Sequence, residues 1–437
     1  MEKVALRAPR NMMACPDCDL LLEPVPVQDN QSGFCPRCGG RLFRIRRHAV
    51  QKTMALSLAG LLLYLPANLQ PLMTFEILGT TSGASVFTST LAMFAQHQYL
   101  VGTVVVLTAL VFPLLVLTLL FWVSVGVSRG WKSSALRCGF RWLHHLQEWA
   151  MTDVYLIGIL ITIIKMGHQA EIELDTGFYC FAGLVLVTIG GLAAIDHHGF
   201  WESLRSKDGP YPLSGHQAGG EGTTAGDAGL VHCLTCNTLV PEAKVGAAGR
   251  CPTCHAHLAF RKQGSVNRTW ALLTTAVLLT VPANILPIME VEYFGSLERK
   301  TILDGILYFF QEGSYGIGII ILTASILVPL FKIMGLVLIL LSIHFRLEGW
   351  LRHKQMMLRF ISFIGRWSML DIFVISLLCA LVRFDYLSTV NAAPAAFYFT
   401  GVVLSTMFAA ISFDSRLLWD AVSLETGEPA HGTACPA

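Results

Sequence analysis

The segment Pro66-Ala67-Asn68-Leu69-Gln70-Pro71-Leu72-Met73 returns later in the chain as Pro282-Ala283-Asn284-Ile285-Leu286-Pro287-Ile288-Met289. The two copies lie 216 residues apart (282 minus 66), and the same offset still pairs Pro113 with Pro329. Chance does not keep one register over such a distance. The 437-residue chain is therefore predicted to be a tandem repeat.

A second repeated element follows after a shift of two residues. Trp149-Ala150-Met151-Thr152-Asp153 matches Trp367-Ser368-Met369-Leu370-Asp371 at an offset of 218 (367 minus 149), which also aligns Lys165 with Arg383. Long basic side chains near the end of an apolar run can reach the membrane interface, so we expect Lys165 and Arg383 to anchor their helices.

The composition predicts a mainly α-helical membrane protein. Hydrophobic residues make up 54% of the chain and charged residues 14%, against roughly a quarter charged in soluble domains. A formal net charge of +2 gives no basic field for nucleic acid. Several apolar runs reach the roughly 20 residues that cross a bilayer. The eight predicted spans are 53–73, 99–126, 150–167, 178–196, 269–289, 314–343, 364–386 and 393–413, four in each copy of the repeat.

Lys and Arg in short flanking segments predict the orientation, because such segments stay preferentially in the cytoplasm. Basic residues precede the first span and separate the second from the third, whereas the segment 74–98 contains no Lys or Arg. The second half repeats this bias, apart from Arg299 and Lys300 in its outer loop. We expect both termini in the cytoplasm. Since each half has four spans, the repeats share one orientation.

Eight of the twelve cysteines form two sets of paired Cys-x-x-Cys motifs. The first set is Cys15, Cys18, Cys35 and Cys38, and the second is Cys233, Cys236, Cys251 and Cys254. Two such pairs can bring four thiolates to a tetrahedron, so each set predicts a zinc ribbon with a structural Zn²⁺. Iron fits the same four ligands, and a redox dithiol is the alternative reading of each pair.

Lys332 is the clearest ionisable residue inside a predicted span, where an unpaired charge costs about 2.5 to 3.5 kcal/mol. We expect Asp371 in the next span to be its partner. Ser368, Ser325 and Thr323 fall on the same proposed polar track for protons, and a static ion pair between two helices is the alternative.

The first half lacks this set of residues. Asp153 is retained, but Val116 stands at the position of Lys332 and Ala150 at that of Ser368, which favours a working site in the second half only. Asn68 and Asn284 lie between prolines that break the first helix of each half, and they are secondary candidates together with Asp153.

These patterns predict six segments in the chain. They are a first ribbon (1–48), a first four-helix transmembrane domain (49–204), a Gly- and Ser-rich flexible linker (205–230), a second ribbon (231–262), a second four-helix transmembrane domain (263–416) and a cytoplasmic tail (417–437).

The duplicated ribbon, the Pro-Ala-Asn-x-x-Pro-x-Met element and the Trp-x-Met-x-Asp element together resemble the paraquat-inducible protein A family. The resemblance covers about residues 12 to 420. It implies an inner-membrane protein of Gram-negative bacteria that works with periplasmic MCE-domain proteins, which form tunnels for lipid. It also implies that 74–98 and 290–313 meet the MCE partner.

The expected function is therefore loading or extraction of phospholipid for such a tunnel, coupled to protons through Lys332 and Asp371, without enzymatic catalysis. The sequence contains no Walker motif, so we do not expect ATP to be the direct energy source. A membrane thiol or quinone oxidoreductase is the alternative function, and a noncatalytic envelope scaffold is a third.

Overall fold

A computed structural model describes residues 12–23, 30–77, 80–166, 171–205, 223–245, 249–293, 296–311, 313, 315–347, 349–381, 383–384 and 388–423. Within these residues the chain is mainly helical, and the two copies of the repeat have the same order of elements.

The first membrane half begins at a long helix and ends at a short one. Its helices are α1 (Ala49–Leu69), α2 (Val86–Ala95), α3 (Tyr99–Val105), α4 (Phe112–Ser128), α5 (Ser134–Leu146), α6 (Thr152–Met166), α7 (Thr176–Ala194) and α8 (His197–Leu204). In the second half they are α9 (Ser265–Ile285), α10 (Ile302–Gln311), α11 (Tyr315–Leu322), α12 (Val328–His344), α13 (Leu351–Ile364), α14 (Leu370–Leu381), α15 (Ala395–Ser412) and α16 (Leu417–Ser423).

Proline shapes the second span of each half in the same way. A π-helical segment, Val106–Val111, joins α3 to α4, and its counterpart Thr323–Leu327 joins α11 to α12. Each segment ends just before Pro113 or Pro329, which stands in the first turn of the following helix. Because proline has no N–H to complete the preceding helical ladder, a local change of helical register is expected there.

Six helical stretches among the described residues are long and apolar enough to cross a membrane. They are Ala49–Leu69, Tyr99–Ser128, Thr176–Ala194, Gly318–His344, Leu351–Leu381 and Ala395–Ser412. The chain is therefore a multi-pass membrane protein.

The two other predicted spans also coincide with helices but fall short on one count each. The third corresponds to α6, which has 15 residues, fewer than the roughly 20 that a bilayer requires. The fifth corresponds to α9, which has 21 residues but carries four threonines and Arg268. The described residues therefore contain six stretches that are long and apolar enough to span a membrane, rather than the eight predicted.

Each half carries a small antiparallel sheet made by its predicted outer segments. In the first half β5 (Met73–Ile77) lies between β6 (Thr80–Ala84) and β7 (Glu171–Leu174). In the second half β11 (Ser296–Lys300), β10 (Met289–Tyr293), β13 (Ser388–Ala392) and β12 (Arg383–Phe384) are neighbours in that order. These sheets connect the end of the first helix in each half to the segment before α7 in the first half and before α15 in the second.

The ribbons are pairs of short hairpins. The first ribbon contains β1 (Met13–Ala14), β2 (Leu21–Leu22), β3 (Ser32–Phe34) and β4 (Arg41–Arg44), and the second contains β8 (Leu230–His232) and β9 (Leu239–Pro241) with a 3-10 turn at Glu242–Lys244. The end of the predicted linker belongs to this region, because Leu21 N–H donates to the carbonyl of Thr223 at 3.0 Å. Residues 206–222 lie outside the described residues.

The ribbons are exchanged between the membrane halves. The first four cysteines pack in one apolar cluster with Leu340, Leu358 and Trp419 of the second half. The second four pack in another with Phe140 and Trp201 of the first half. The first ribbon thus packs against the second membrane half, and the second ribbon packs against the first half.

The halves meet along α14, which packs against α2 and α6. Tyr155 is fully buried there, with its ring centroid 5.1 Å from that of Phe373 and its hydroxyl 2.7 Å from the Ser89 hydroxyl. Ser376 Oγ donates to the Ser89 carbonyl oxygen at 3.2 Å. Polar contacts centred on Ser89 thus supplement the packing at this interface.

Candidate functional site

The eight ribbon cysteines form two buried clusters, and in each cluster the four Sγ atoms lie within 4.8 Å of one another. The Cys15 and Cys38 sulfurs are 3.5 Å apart, as are those of Cys18 and Cys35. In the second cluster the corresponding distances are 3.6 Å and 3.5 Å. A tetrahedron with metal–sulfur bonds of about 2.3 Å has edges near 3.8 Å, so both clusters fit a metal ion of the zinc type.

The turns that hold these sulfurs share one backbone feature. The residue after the last cysteine of each knuckle has a positive φ: 60° at Asp19, 69° at Gly39, 54° at Asn237 and 57° at His255. Gly, Asn, Asp and His are the residues that adopt this conformation most readily. The same backbone conformation therefore closes all four knuckles.

Lys332 and Ser368, two candidates of the proposed polar track, are in contact in the second half. Lys332 is fully buried, and its Nζ donates to Ser368 Oγ at 3.3 Å. Ser368 lies in a 3-10 segment, Gly365–Met369, which leads directly into α14. The pairing of Lys332 with Asp371 stays a prediction.

Asp371 and Ser325 line one cleft of about 60 Å³ between the helices of the second half. Ser325 is 4% exposed, and its hydroxyl oxygen has no hydrogen-bond partner among the residues that the structure describes. Ile302 and Phe309 of α10 line the same cleft, with Ile161 of the first half. Because about 10 to 15 Å³ suffices for one water molecule, the cleft has room for a few waters beside two polar groups.

The remaining candidates of the polar track lie elsewhere. Thr323 is exposed, and its hydroxyl donates to the Ile319 carbonyl at 2.7 Å. Asp153 lies 3.8 Å from Arg366 Nη1 of the second half, with both side chains about one third exposed. Neither residue lines the cleft described above.

Asn68 and Asn284 stabilise the helix ends near the repeated prolines. Asn68 Nδ2 donates to the Tyr64 carbonyl at 2.7 Å, and Asn284 Nδ2 donates to the Thr280 carbonyl at 2.8 Å. Both are contacts one turn back along the same helix, which indicates a local structural role.

Lys165 and Arg383 occupy the end of α6 and the start of β12. Their side chains lie outside the described residues, so their anchoring role stays a prediction.

Charged residues join the two ribbons to each other and to the C-terminal helix. Arg261 bridges Asp19 Oδ2 at 2.9 Å and Asp420 Oδ2 at 2.6 Å, linking both ribbons to the C-terminal helix. Burial raises the pKa of Asp19, although Arg261 opposes the shift. Burial also lowers the pKa of His232 to about 3, so this histidine is neutral at pH 7.

Two tandem bundles of membrane helices, each preceded in the sequence by a four-cysteine ribbon that can hold a metal, define a duplicated multi-pass membrane protein. The chain belongs to the Paraquat-inducible protein A family, whose family model matches residues 50–205 and 266–423.

Several well-studied bacteria carry similar proteins. The chain is 34% identical to the "Lipophilic envelope-spanning tunnel protein A" of Escherichia coli K12 over 96% of this chain and 95% of that protein. It is 30% identical to the "Intermembrane transport protein PqiA" of the same strain, over 93% and 95%. A "Probable intermembrane transport protein" of Haemophilus influenzae is 27% identical over 96% and 98%. No solved structure matches the chain.

Proposed function

We propose that the chain transports lipid between the membranes of a Gram-negative envelope, as the inner-membrane component that loads or extracts phospholipid for a periplasmic MCE-domain tunnel. The names of relatives matched over nearly their whole length support the transport role. Both termini are proposed to be cytoplasmic, and the outer sheets with α2 and α10 to face the MCE partner.

Two observations carry the proposed mechanism. The buried Lys332 contacts Ser368, and Asp371, three residues after Ser368, lines a cleft together with Ser325. A fully buried ammonium in a membrane segment is costly, so its retention favours a working role. Waters in the cleft would connect Ser325 with the Asp371 carboxylate and allow a proton to pass. The proposed coupling is proton movement through Lys332 and Asp371 during lipid loading.

Helix α10 is the proposed contact with lipid. It lines the cleft with Ile302 and Phe309, while Leu303 and Leu307 on its other side are 49% and 55% exposed. The cleft itself is far too small for an acyl chain. Lipid is therefore proposed to pass along the outer face of α10, whose position responds to the charge state of the cleft.

The metal centres are proposed to hold two structural zinc ions. Four thiolates complete a tetrahedral shell and leave no open position for substrate. Each Zn²⁺ would therefore stabilise its ribbon and supply no catalytic step. A redox role for the same thiols is the competing function, since all eight are free cysteines in the structure.

The test is mass spectrometry of lipid extracted from purified protein, with metal content determined on the same samples. We compare the wild type with Lys332→Ala, Asp371→Ala and the matched control Asp153→Ala from the first half. Bound phospholipid with two zincs, and altered lipid loading in the second-half variants only, supports the proposal. Absence of phospholipid from every sample, together with less than one metal and reducible disulfides, contradicts it in favour of the redox function.

A further inference from the structure

The cytoplasmic helices α5 and α13 occupy equivalent positions in the two halves and contact opposite ribbons. Arg141 of α5 and Arg359 of α13 are repeat equivalents, 218 residues apart (359 minus 141). Arg359 Nη1 donates to the carbonyl of Cys38 in the first ribbon at 3.2 Å. Arg141 Nη1 donates to the carbonyl of His255, next to Cys254 in the second ribbon, at 3.1 Å. Each ribbon is thus held at its last knuckle by an arginine from the other half.

Unlike Arg141, Arg359 contacts both the backbone of its knuckle and the sulfur of one of the four ribbon cysteines. Its Nη2 lies 3.3 Å from Cys38 Sγ, and its Nε and Nη2 donate to Asp17 Oδ2 at 3.0 and 2.6 Å. Asp17 stands between Cys15 and Cys18, so one guanidinium joins both knuckles of the first ribbon. At the position of Asp17 the second ribbon has Thr235, which has no carboxylate to accept such a contact.

Gly40, two residues after Cys38, allows this close approach because it has no side chain. A Cβ at Gly40 would lie 2.6 Å from Arg359 Nη2 and 2.7 Å from Asp17 Oδ2, so no side chain fits there while the arginine is in place. The second ribbon has Ala256 at the corresponding position, and its arginine contact is one residue earlier at His255. The glycine and the arginine are parts of one arrangement, and it exists in the first ribbon only.

We propose that Arg359 is an outer-shell residue of the first metal centre, supplied by the second membrane half, and that it makes this centre hold its metal more tightly than the second. Four thiolates around one divalent ion leave a net charge of about −2, which a cation and an N–H···S bond at one sulfur stabilise. Loss of such a contact commonly weakens metal affinity about 10- to 100-fold. This inference is independent of the proposed transport function.

The experiment measures zinc release from the full-length protein in detergent with a chromogenic chelator. Wild-type protein is expected to release zinc in two phases, and Arg359→Ala is expected to accelerate the slower phase at least tenfold. Arg141→Ala is the matched control and is expected to change either phase less than twofold. Hydrogen exchange in peptides from 12–23 and 30–45, compared with 230–260, assigns each phase to its ribbon.

Two further variants keep the inference testable if Arg359→Ala folds poorly. Gly40→Ala is expected to displace the guanidinium and accelerate the same phase, without removing any charge. Arg359→Lys keeps the charge but loses the forked contact, and is expected to give intermediate release. Equal release from wild type and Gly40→Ala, or equal acceleration in the Arg359 and Arg141 variants, overturns the proposal.

Discussion

The two membrane halves share one scaffold but differ at two buried positions and in the surroundings of one repeated aspartate. Where the first half has Val116 and Ala150, both buried, the second has Lys332 and Ser368 joined by a hydrogen bond. Asp153 is directed to Arg366 across the boundary between the halves, whereas its counterpart Asp371 lines the cleft. The same helices and the same π-helical segments therefore carry an apolar core in one half and a polar site in the other. This difference predicts that the working site lies in the second half only.

The largest expected effect comes from Lys332→Met, which removes the buried charge and keeps the length of the side chain. We expect at least a tenfold loss of lipid transfer between vesicles containing the reconstituted protein and its partner. Asp153→Asn in the first half is expected to retain more than half of the activity. Equal losses in both variants would show that the halves do not differ in function.

A second test uses the exchange of ribbons. Cys38→Ser damages the first metal centre and is expected to speed hydrogen exchange in α13 by more than tenfold, because that helix packs against the first ribbon. The paired variant Cys254→Ser is expected to affect α5 instead. If each variant loosened the half that follows its own ribbon in the sequence, the exchanged arrangement would be wrong.

Substitution of the repeated proline is expected to have an intermediate effect on lipid transfer. Pro329→Ala restores an N–H after the π-helical segment that contains Ser325, so the segment is expected to shorten towards a regular helix and turn Ser325 away from the cleft. We expect a several-fold loss of lipid transfer. Pro113→Ala changes the same element in the first half, and a similar loss there would remove the distinction between the two segments.

The smallest expected effect is a pH dependence confined to the first half. Burial lowers the pKa of His197 to about 4, and its ring centroid lies 5.7 Å from that of Phe140. As the pH falls from about 6.5 towards 4, the unfolded chain takes up a proton before the folded chain does, so stability declines in that window. After allowance for partial exposure, the loss is about 2 kcal/mol.

Thermal unfolding at pH 7 and pH 5 checks this expectation with His197→Gln as the comparison. The variant is expected to lose less stability than the wild type on acidification. The second half has Ser415 at the equivalent position, and α13 is expected to show no matching change in hydrogen exchange. An unchanged difference between wild type and variant at the two pH values would contradict the assignment to His197.

Motif spacing in the sequence predicted the repeat and the two cysteine clusters. It placed Lys332 and Ser368 on one polar track but named Asp371 as the partner of Lys332, and the role of that track stays a prediction. The exchange of ribbons was not predictable in this way, because a ribbon docked on either half leaves the same cysteine spacing and the same apolar pattern. The contact between Arg359 and Cys38 spans 321 residues, and nothing in the sequence around Arg359 indicates which ribbon it contacts.

The sequence predicts the π-helical segments only in part. Pro113 and Pro329 mark a break in the helical ladder, but a hydropathy pattern does not distinguish a π turn from a kink or a helix end. Thr323 and Ser325 are two residues apart, so they would point in different directions even on a regular helix. In the structure Thr323 is exposed and Ser325 is buried.

The exchanged ribbons also determine the order in which the protein can be completed during synthesis. The first ribbon leaves the ribosome early, but Arg359 follows Cys38 by 321 residues, or about 16 to 64 s at 5 to 20 residues per second. During this interval the first metal centre has to fold without the helix that later covers it. A chain that stops before α13 leaves that ribbon without the surface that it packs against. Docking of the first ribbon is therefore completed only in chains that contain the second half.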